Sequence, residues 1–259
     1  MDIPIKMINL ATAISWAFLI IFSVTAVYSV KDLEFNLGTP QMETASDGKI
    51  LLSLPIEIAN KGYYNIGMFD IKTKVLDHNG SVITEGSTLI PTIERDERLA
   101  ILHNVTLDVG HLLQLSASYL FTDTQLNAVE SVSMRLGGVI PVEASGNLSI
   151  PWGAPLANLK VGEPQYAMLN STHAQVTLPI SFDNHASINI VGEAQTRMYN
   201  STNGFIGFGQ IEVEASQHSH YDGHAIFCVA ISSVTRNGWI ELRFHTQLFS
   251  HGPIVIPYG

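Results

Sequence analysis

The stretch Leu54-Pro-Ile-Glu-Ile-Ala-Asn60 occurs twice in this chain, because Leu178-Pro-Ile-Ser-Phe-Asp-Asn184 repeats its pattern 124 residues later. In both copies apolar residues alternate with other residues, which is the period of a strand with one buried face. A proline inside a strand cannot donate to a neighbouring strand, so we expect this strand at a sheet edge or the proline at a bulge. The repeat predicts two related β domains.

The matches extend in both directions from this strand. Upstream, Phe35-Asn-Leu-Gly-Thr-Pro-Gln41 and Leu159-Lys-Val-Gly-Glu-Pro-Gln165 have the same spacing of 124 residues. Downstream, Asn79-Gly80 and Asn203-Gly204 keep that spacing. Asn-Gly supplies the positive φ values of a tight type I′ hairpin turn, so a hairpin is predicted at both sites.

Each copy ends on a similar signature, Ile150-Pro-Trp-Gly153 and Ile256-Pro-Tyr-Gly259, at a shorter spacing of 106 residues. The second copy has therefore lost about eighteen residues, and the segment Gly110–Phe121 of the first could carry a short helix. We predict an all-β fold of two tandem immunoglobulin-like or fibronectin-like sandwiches, over 32–155 and 156–259, the first with a short helix.

The N-terminal segment Met7 to Val30 carries no charged residue. A helix needs about 20 such residues to span hydrocarbon, so residues 1–31 are predicted to be a transmembrane anchor. A cleaved signal peptide is the alternative, although its apolar core usually runs only about 7–15 residues. Lys6 before the segment favours a cytoplasmic N-terminus, with the β domains extracytoplasmic.

Composition excludes several classes of protein. The net charge is −10 with only 13 Lys and Arg, so no cationic surface for nucleic acid is expected. The chain is 46% hydrophobic and 14% charged, which is typical of a packed globular protein and not of a disordered one. Its one cysteine, Cys228, cannot form an intrachain disulfide and is predicted to be a buried strand residue.

The pattern resembles the group 2 late embryogenesis abundant domain, also called the water-stress and hypersensitive-response domain. The resemblance rests on a first strand ending in Asn60, the hairpin Val75–Ile83, Glu85-Gly86 before a strand to Pro91, and the strand Leu99–Leu107. Each copy covers most of such a domain. The resemblance implies a seven-stranded sandwich with a short helix, no catalytic residues, frequent membrane attachment, and a role in stress protection or lipid handling.

The sharpest cluster of chemically active side chains is His218, His220 and His224, with Asp222 among them. Histidines two apart on a strand face the same side and are weak candidates for a transition-metal site. Alternatively the segment is a solvated polar turn, equivalent to Glu94–Arg98 in the first copy. No nucleophile elbow, zinc-protease motif or P-loop occurs, so neither enzymatic activity nor a cofactor is predicted.

Five Asn-x-Ser/Thr sequons are candidates for glycosylation: Asn79, Asn104, Asn147, Asn170 and Asn200. The sequence thus predicts a non-enzymatic, membrane-anchored extracytoplasmic binding protein, with lipid-handling or stress-protective roles and a lipid or protein partner. The alternative is a structural subunit of a cell-envelope or membrane-protein assembly that uses sheet edges for contacts, and a homo-oligomer is left open.

Overall fold

The computed structural model describes residues 3–45 and 47–259, the side chains of residues 3–13 excepted. Helix α1, Ile3–Lys31, leads directly into the first strand, and the amide of Asp32 donates to the carbonyl of Tyr28 at 3.0 Å. Over the described residues, sixteen strands follow in four four-stranded sheets. The predicted fold class is confirmed: β-sandwiches behind one apolar N-terminal helix. Met1 and Asp2, at the start of the predicted anchor, lie outside the described residues.

The first sandwich has two antiparallel sheets. Strand β3 pairs with β6 on one side and with β1 and then β2 on the other, while the second sheet has the order β5-β4-β7-β8. The strand bounds are β1 Leu33–Leu37, β2 Gln41–Thr44, β3 Ile50–Asn60, β4 Ile66–Leu76, β5 Val82–Ile93, β6 Arg98–Leu107, β7 Thr124–Leu136 and β8 Ile140–Trp152.

The second sandwich repeats this topology strand for strand. Strand β11 pairs with β14 on one side and with β9 and β10 on the other, and the opposite sheet has the order β13-β12-β15-β16. The bounds are β9 Ala157–Val161, β10 Gln165–Met168, β11 His173–Asn184, β12 Ile190–Asn200, β13 Phe205–Ala215, β14 Ser219–Ala230, β15 Gly238–Thr246 and β16 Ser250–Tyr258. Each described sheet is built within 33–152 or within 157–258.

The two strand prolines lie on central strands and not on edge strands, but each faces a one-residue shift in the register of the neighbouring strand, which agrees with the bulge alternative. Pro55 is on β3, which is central, and it lies where β1 has ended and β2 has not begun. The carbonyl of Pro55 still accepts from the amide of Gly38 at 2.8 Å, and that of Pro179 accepts from Gly162 at 2.9 Å. The missing N–H is harmless because the neighbouring strand is interrupted at that level.

The hairpins after β4 and β12 differ from the predicted type I′ turns. Positive φ occurs at Gly80 and Asn203, one residue per turn, so the turn carries a single left-handed position. Asn203 therefore corresponds to Gly80, and the spacing has slipped by one residue. The cause is a bulge in β4 at Met68, which has a φ of 50° and no counterpart in β12.

The predicted helix of the first copy is present. Helix α2, Val109–Leu115, is capped by Asp108, whose carboxylate accepts from the amide of His111 at 3.1 Å, and the 3₁₀ turn Ala117–Leu120 follows it. The second copy has only the 3₁₀ turn Ile231–Ser233 at this point. The shorter connection, 231–237 against 108–123, explains about half of the length lost between the copies, and the shorter strands β15 and β16 explain the rest.

The two sandwiches meet end to end. Across the junction, His185 Nδ1 lies 2.8 Å from the Asp123 carboxylate, and the amide of His185 donates to the carbonyl of Ala154 at 3.0 Å. Buried residues of both sandwiches belong to one continuous apolar cluster through this contact. The junction is therefore packed and hydrogen-bonded, with no flexible linker between the sandwiches.

Candidate functional site

A cleft of about 690 Å³ opens between the two sheets of the first sandwich. We call it the slot. Its walls are residues of β2, β3 and β6 on one sheet and of β4, β7 and β8 on the other, with two residues of the second sandwich at one end: Pro40, Gln41, Met42, Leu52, Ser53, Leu54, Thr73, Val75, His103, Val105, Ala128, Glu130, Leu148, Ser149, Ile150, Pro151, Ser187 and Gln217.

Several positions that line the slot carry smaller or polar residues in the first copy. Val105 pairs with Leu52 in the first sandwich, and Phe227 pairs with Val176 at the same place in the second. Ala128 pairs with Val75 where Ile240 pairs with Met198, and Glu130 pairs with Thr73 where Leu242 pairs with Thr196. The smaller residues of the first copy leave more space between its sheets.

The burial of the facing strand agrees with this explanation. Val176 and Leu178 of β11 are fully buried, as expected for residues between two packed sheets. Their counterparts Leu52 and Leu54 on β3 are only half-buried and line the slot. The same strand pattern thus gives a closed core in one copy and an open apolar wall in the other.

A chain of polar side chains runs through the inner wall of the slot. Thr73 Oγ1 donates to Glu130 Oε2 at 2.6 Å, so its oxygen accepts from His103 Nε2 at 2.7 Å. In the neutral ring that burial favours, His103 Nδ1 accepts the hydroxyl proton of Thr88 at 2.8 Å. These contacts assign His103 as the neutral tautomer protonated at Nε2, and they satisfy both of its ring nitrogens.

The protonation state of His103 follows from its environment. Its side chain is 2% exposed, and burial lowers its pKa below the ordinary histidine value, while the nearby carboxylates of Glu130 and Asp70 partly oppose that effect. The imidazole is therefore neutral near pH 7. A neutral, fully hydrogen-bonded histidine holds Glu130 through Thr73 and is not positioned to act as a base.

The slot has the form of a ligand site. Ligand sites are typically clefts of about 300–1,000 Å³ lined by apolar side chains with a few polar groups, and the slot fits this description. Glu130 is half-buried, and its second oxygen accepts no hydrogen bond from the part of the chain that the structure describes. That oxygen can accept from a hydroxyl or amine of a ligand whose apolar part lies along Leu52 and Leu54.

The three histidines singled out in the sequence are placed separately. His218 is in the turn before β14, 3.3 Å from Ser187 Oγ, whereas His220 and His224 are exposed on β14 itself, so the segment is not one polar turn. His220 Nδ1 lies 2.7 Å from Asp183 Oδ1. Across the described residues, no group of three or more His, Cys, Asp or Glu side chains could hold a metal ion.

Cys228 lies on β14 as predicted, but its side chain is exposed, so the expected burial was wrong. The strand alternates, and Phe227 and Val229 take the inward positions. The apolar run around Cys228 therefore did not indicate which face it occupies.

The five sequons occupy two kinds of position. Asn79, Asn104, Asn147 and Asn170 are exposed. Asn200 is half-buried, and its Nδ2 donates to the carbonyl of Ser233 at 3.2 Å, so this side chain holds a turn in place.

Helix α1 is the one described helix that is long and apolar enough to cross a membrane, by length and composition. Only 11% of the residues in its segment Ile14–Lys31 are buried in the protein, so it is not a core helix of the sandwiches.

Sequence reasoning missed His103, Thr73, Thr88 and Glu130. One signal was available for the first of these. In β6 the inward positions are Leu99, Ile101, His103, Val105 and Leu107, so His103 is a polar residue in the apolar phase of a strand. Such a residue must be hydrogen-bonded inside the protein.

Comparison with known proteins adds little. No family model matches the chain, and no curated protein matches it. Among solved structures, red sea bream transglutaminase is similar over 88% of this chain, with 13% identity and a TM-score of 0.32, and the chain spans 31% of its length. A structure of a chaperone and tip-adhesin complex of CFA/I fimbriae is also similar. The match covers 83% of this chain and 83% of the chain in that structure, with 8% identity and a TM-score of 0.19. Neither likeness is close enough to support an argument.

Proposed function

We propose that this protein is a non-enzymatic, membrane-anchored extracytoplasmic protein that holds a lipid-like ligand in the slot of its first sandwich. The observation that carries the proposal is the slot itself, an open cleft of about 690 Å³ with aliphatic walls and the carboxylate of Glu130 inside it. Each methylene that leaves water contributes about 0.8 kcal/mol, so an acyl or isoprenoid chain would supply the affinity.

The polar groups of the slot restrict the head of the ligand. Glu130 is an acceptor fixed by Thr73, and His103 is neutral with both nitrogens already engaged. A hydroxyl or amine would complete the hydrogen bonding of Glu130, whereas a carboxylate or phosphate beside it would be repelled. The ligand we propose is therefore an apolar chain with a neutral or cationic head, and not a fatty acid.

The rest of the chain agrees with a membrane location. Helix α1 has the length and composition of a membrane span, and the absence of charge from Met7 to Val30 together with Lys6 favours an N-terminus in the cytoplasm. We also propose membership of the group 2 late embryogenesis abundant family. When β1 and β2 are counted as one interrupted strand, each sandwich has the seven strands that this family implies.

The direct test is to purify the full-length protein in mild detergent or native nanodiscs and identify extracted lipids by mass spectrometry. Val105→Phe places in the first sandwich the ring that Phe227 provides in the second, and it should abolish co-purification. Val255→Phe makes the same change on an exposed position of β16 and should retain the ligand.

Circular dichroism establishes that each variant is folded, and Leu54→Trp is a second filling variant if Val105→Phe does not fold. The proposal fails if the wild type carries no lipid and binds no fluorescent long-chain alcohol or amine. It also fails if the filling variants retain as much ligand as Val255→Phe.

A second function, a structural subunit that uses its sheet edges, is favoured by strand β8. This strand of 13 residues is an edge of its sheet, and residues 143–149 are exposed without interruption. Such an edge can pair with a strand of another chain. Ala144→Lys should reduce any assembly seen by light scattering or electron microscopy, and a wild type that is monomeric in the membrane would rule this function out.

A further inference from the structure

The loop 61–65, at one end of the first sandwich, packs against the last turns of helix α1. Tyr64 OH lies 2.6 Å from Thr25 Oγ1, and the Tyr64 ring meets that of Phe22 edge to face at 5.4 Å. The amide of Tyr64 donates to Ser29 Oγ at 3.3 Å, and Ser29 is buried. Gly62 is also close, since a Cβ there would overlap the hydroxyl of Ser29. The loop 61–65 is therefore packed along the helix from Phe22 to Ser29.

Helix α1 is longer than a membrane requires. Its 29 residues span about 43 Å at about 1.5 Å per residue, against about 30 Å of hydrocarbon. Counted from Met7, the first residue of the charge-free segment, about 20 residues span the hydrocarbon and end near Ala26. The edge of the hydrocarbon therefore falls near Thr25 and Ala26, where the Tyr64 hydroxyl contacts the helix.

Other side chains at this end suit the layer just outside the hydrocarbon. Tyr28 and Tyr63 are 53% and 56% exposed, and Val139, at the tip of the turn between β7 and β8, is 70% exposed. That turn is adjacent to the loop, since the amide of Gly137 donates to the carbonyl of Asn65 at 2.9 Å. Tyrosine is enriched at membrane–water interfaces because its ring is apolar and its hydroxyl is polar.

Some of the cations at this end are paired and some are not. Lys61 lies 2.7 Å from Glu34, Arg95 lies 3.2 Å from Asp96, and Arg98 lies 3.3 Å from Glu57. Lys31 and Arg135 are exposed and form no ion pair within the described residues. The tyrosines and Val139 supply the apolar attachment, and these two cations add an attraction to anionic lipids.

We propose that the loop 61–65 and the turn 137–139 are seated in the lipid headgroup layer, so that the first sandwich stands on the membrane in one orientation. This inference rests on the proposed membrane anchor. It assigns a lipid surface as the partner of this end of the sandwich, in addition to the ligand proposed for the slot.

The test uses the full chain in nanodiscs made with and without lipids that carry a shallow spin-label quencher. In a Cys228→Ser background, single cysteines at Tyr63 and Val139 are labelled with an environment-sensitive fluorophore. Val24→Cys, on an exposed part of α1, reports insertion of the helix, and Thr202→Cys, in the turn between β12 and β13 of the second sandwich, reports a position away from the membrane.

We expect the Tyr63 and Val139 labels to lose a fraction of their fluorescence comparable to the Val24 label, with no loss at Thr202. This loss should be present in neutral nanodiscs, because the tyrosines and Val139 do not need anionic lipid. If the Val24 label is quenched but the Tyr63 and Val139 labels are not, the loop 61–65 and the turn 137–139 do not lie in the headgroup layer, although the helix is inserted in the membrane. If Val24 is not quenched, the anchor itself is wrong.

Discussion

Asn60 in the first sandwich and Asn184 in the second make equivalent sets of side-chain hydrogen bonds. Each is the last residue of its strand, is buried, and uses Nδ2 to donate to three backbone carbonyls while Oδ1 accepts from the amide two residues on. The acceptors are the carbonyls of Tyr64, Ile93 and Glu94 for Asn60, and those of Ile188, Ala215 and Ser216 for Asn184. The asparagine that ends each repeated motif therefore ties three segments together.

Replacing either asparagine should be strongly destabilising. Asn60→Ala or Asn184→Ala leaves several buried backbone groups without a partner, and we expect the free energy of unfolding to fall by about 2–4 kcal/mol. Asn60→Asp should be at least as harmful, because a carboxylate would face carbonyl oxygens that need a donor. Urea denaturation of the detergent-solubilised protein measures these changes.

The matched control is Asn127→Ala on the exposed face of β7, which should change stability by no more than about 0.5 kcal/mol. If Asn60→Asp were as stable as the wild type, the amide would not be donating to these carbonyls.

Stability should fall as the pH is lowered from about 6.5. The unfolded chain binds a proton at each histidine near pH 6.5, whereas burial lowers the pKa of His103 in the folded protein. Between these two values the unfolded state carries more protons, so acid favours unfolding and the stability is fully present only above pH 6.5.

His103→Gln can keep both hydrogen bonds without titrating. Its melting temperature should therefore fall less than that of the wild type when the pH is lowered from 7.5 to 5.5. His251 contributes a similar dependence, because burial lowers its pKa too, so the slope should shrink without vanishing. His111→Gln, at an exposed position, is the control that should keep the wild-type slope. Equal slopes for all three proteins would contradict the assignment.

Glu130→Gln should weaken ligand binding selectively. The amide keeps the size of the side chain but removes the charge that favours a hydroxyl or amine donor, and a hydrogen bond to a charged group is worth about 1.5–3 kcal/mol. We expect affinity for a long-chain amine or alcohol to fall by about tenfold or more, which corresponds to 1.4 kcal/mol. Affinity for the matching carboxylic acid should rise, and fluorescence titration compares the two ligands.

Gly153→Ala should disrupt the junction of the sandwiches, because a Cβ there would overlap the backbone carbonyl of His185. Overpacking of this kind costs about 1–3 kcal/mol. Limited proteolysis should then cleave residues 153–156 faster than in the wild type. Gly146→Ala is the control, since no atom lies within 4 Å of its added Cβ. Unchanged proteolysis of Gly153→Ala would show that the junction tolerates a shift.

Substitution of the sequon asparagines should affect stability differently according to their structural role. Asn200 Oδ1 accepts from the amide of Gly204 at 2.7 Å and its Nδ2 donates to Ser233, so Asn200→Gln should cost about 1–3 kcal/mol, while Asn147→Gln on an exposed strand should be neutral. In a glycosylating host, glycopeptide mass spectrometry should find the exposed sequons occupied before Asn200. High occupancy of Asn200 with normal stability would contradict this role.

The repeated architecture was predictable because its signals are local. The alternation in β3 and β11 identifies strands with a buried face, and the uncharged segment Met7 to Val30 identifies the helix. The position of the prolines in the sheet could not be predicted from the sequence. Whether Pro55 lies on an edge depends on a neighbouring strand that breaks between Leu37 and Gln41. The one-residue slip at Met68 likewise appears only when β4 is paired with β7.

The slot was not predictable from strand patterns. Leu52 and Leu54 follow the same alternation as Val176 and Leu178, although one pair lines a cleft and the other lies in a closed core. The difference depends on the size of the residues that surround them in the folded sandwich, such as Val105 against Phe227 and Ala128 against Ile240. Pairing of strands distant in sequence is needed before that comparison can be made.

The smaller residues between the sheets of the first copy have a consequence for how such a protein could evolve. Two copies of one framework fold with different residues at positions such as Val105 and Phe227. A cleft can therefore arise in one copy by reductions in side-chain volume at a few inward positions, while the other copy keeps its core closed. Such a change requires no new strand and no new catalytic group.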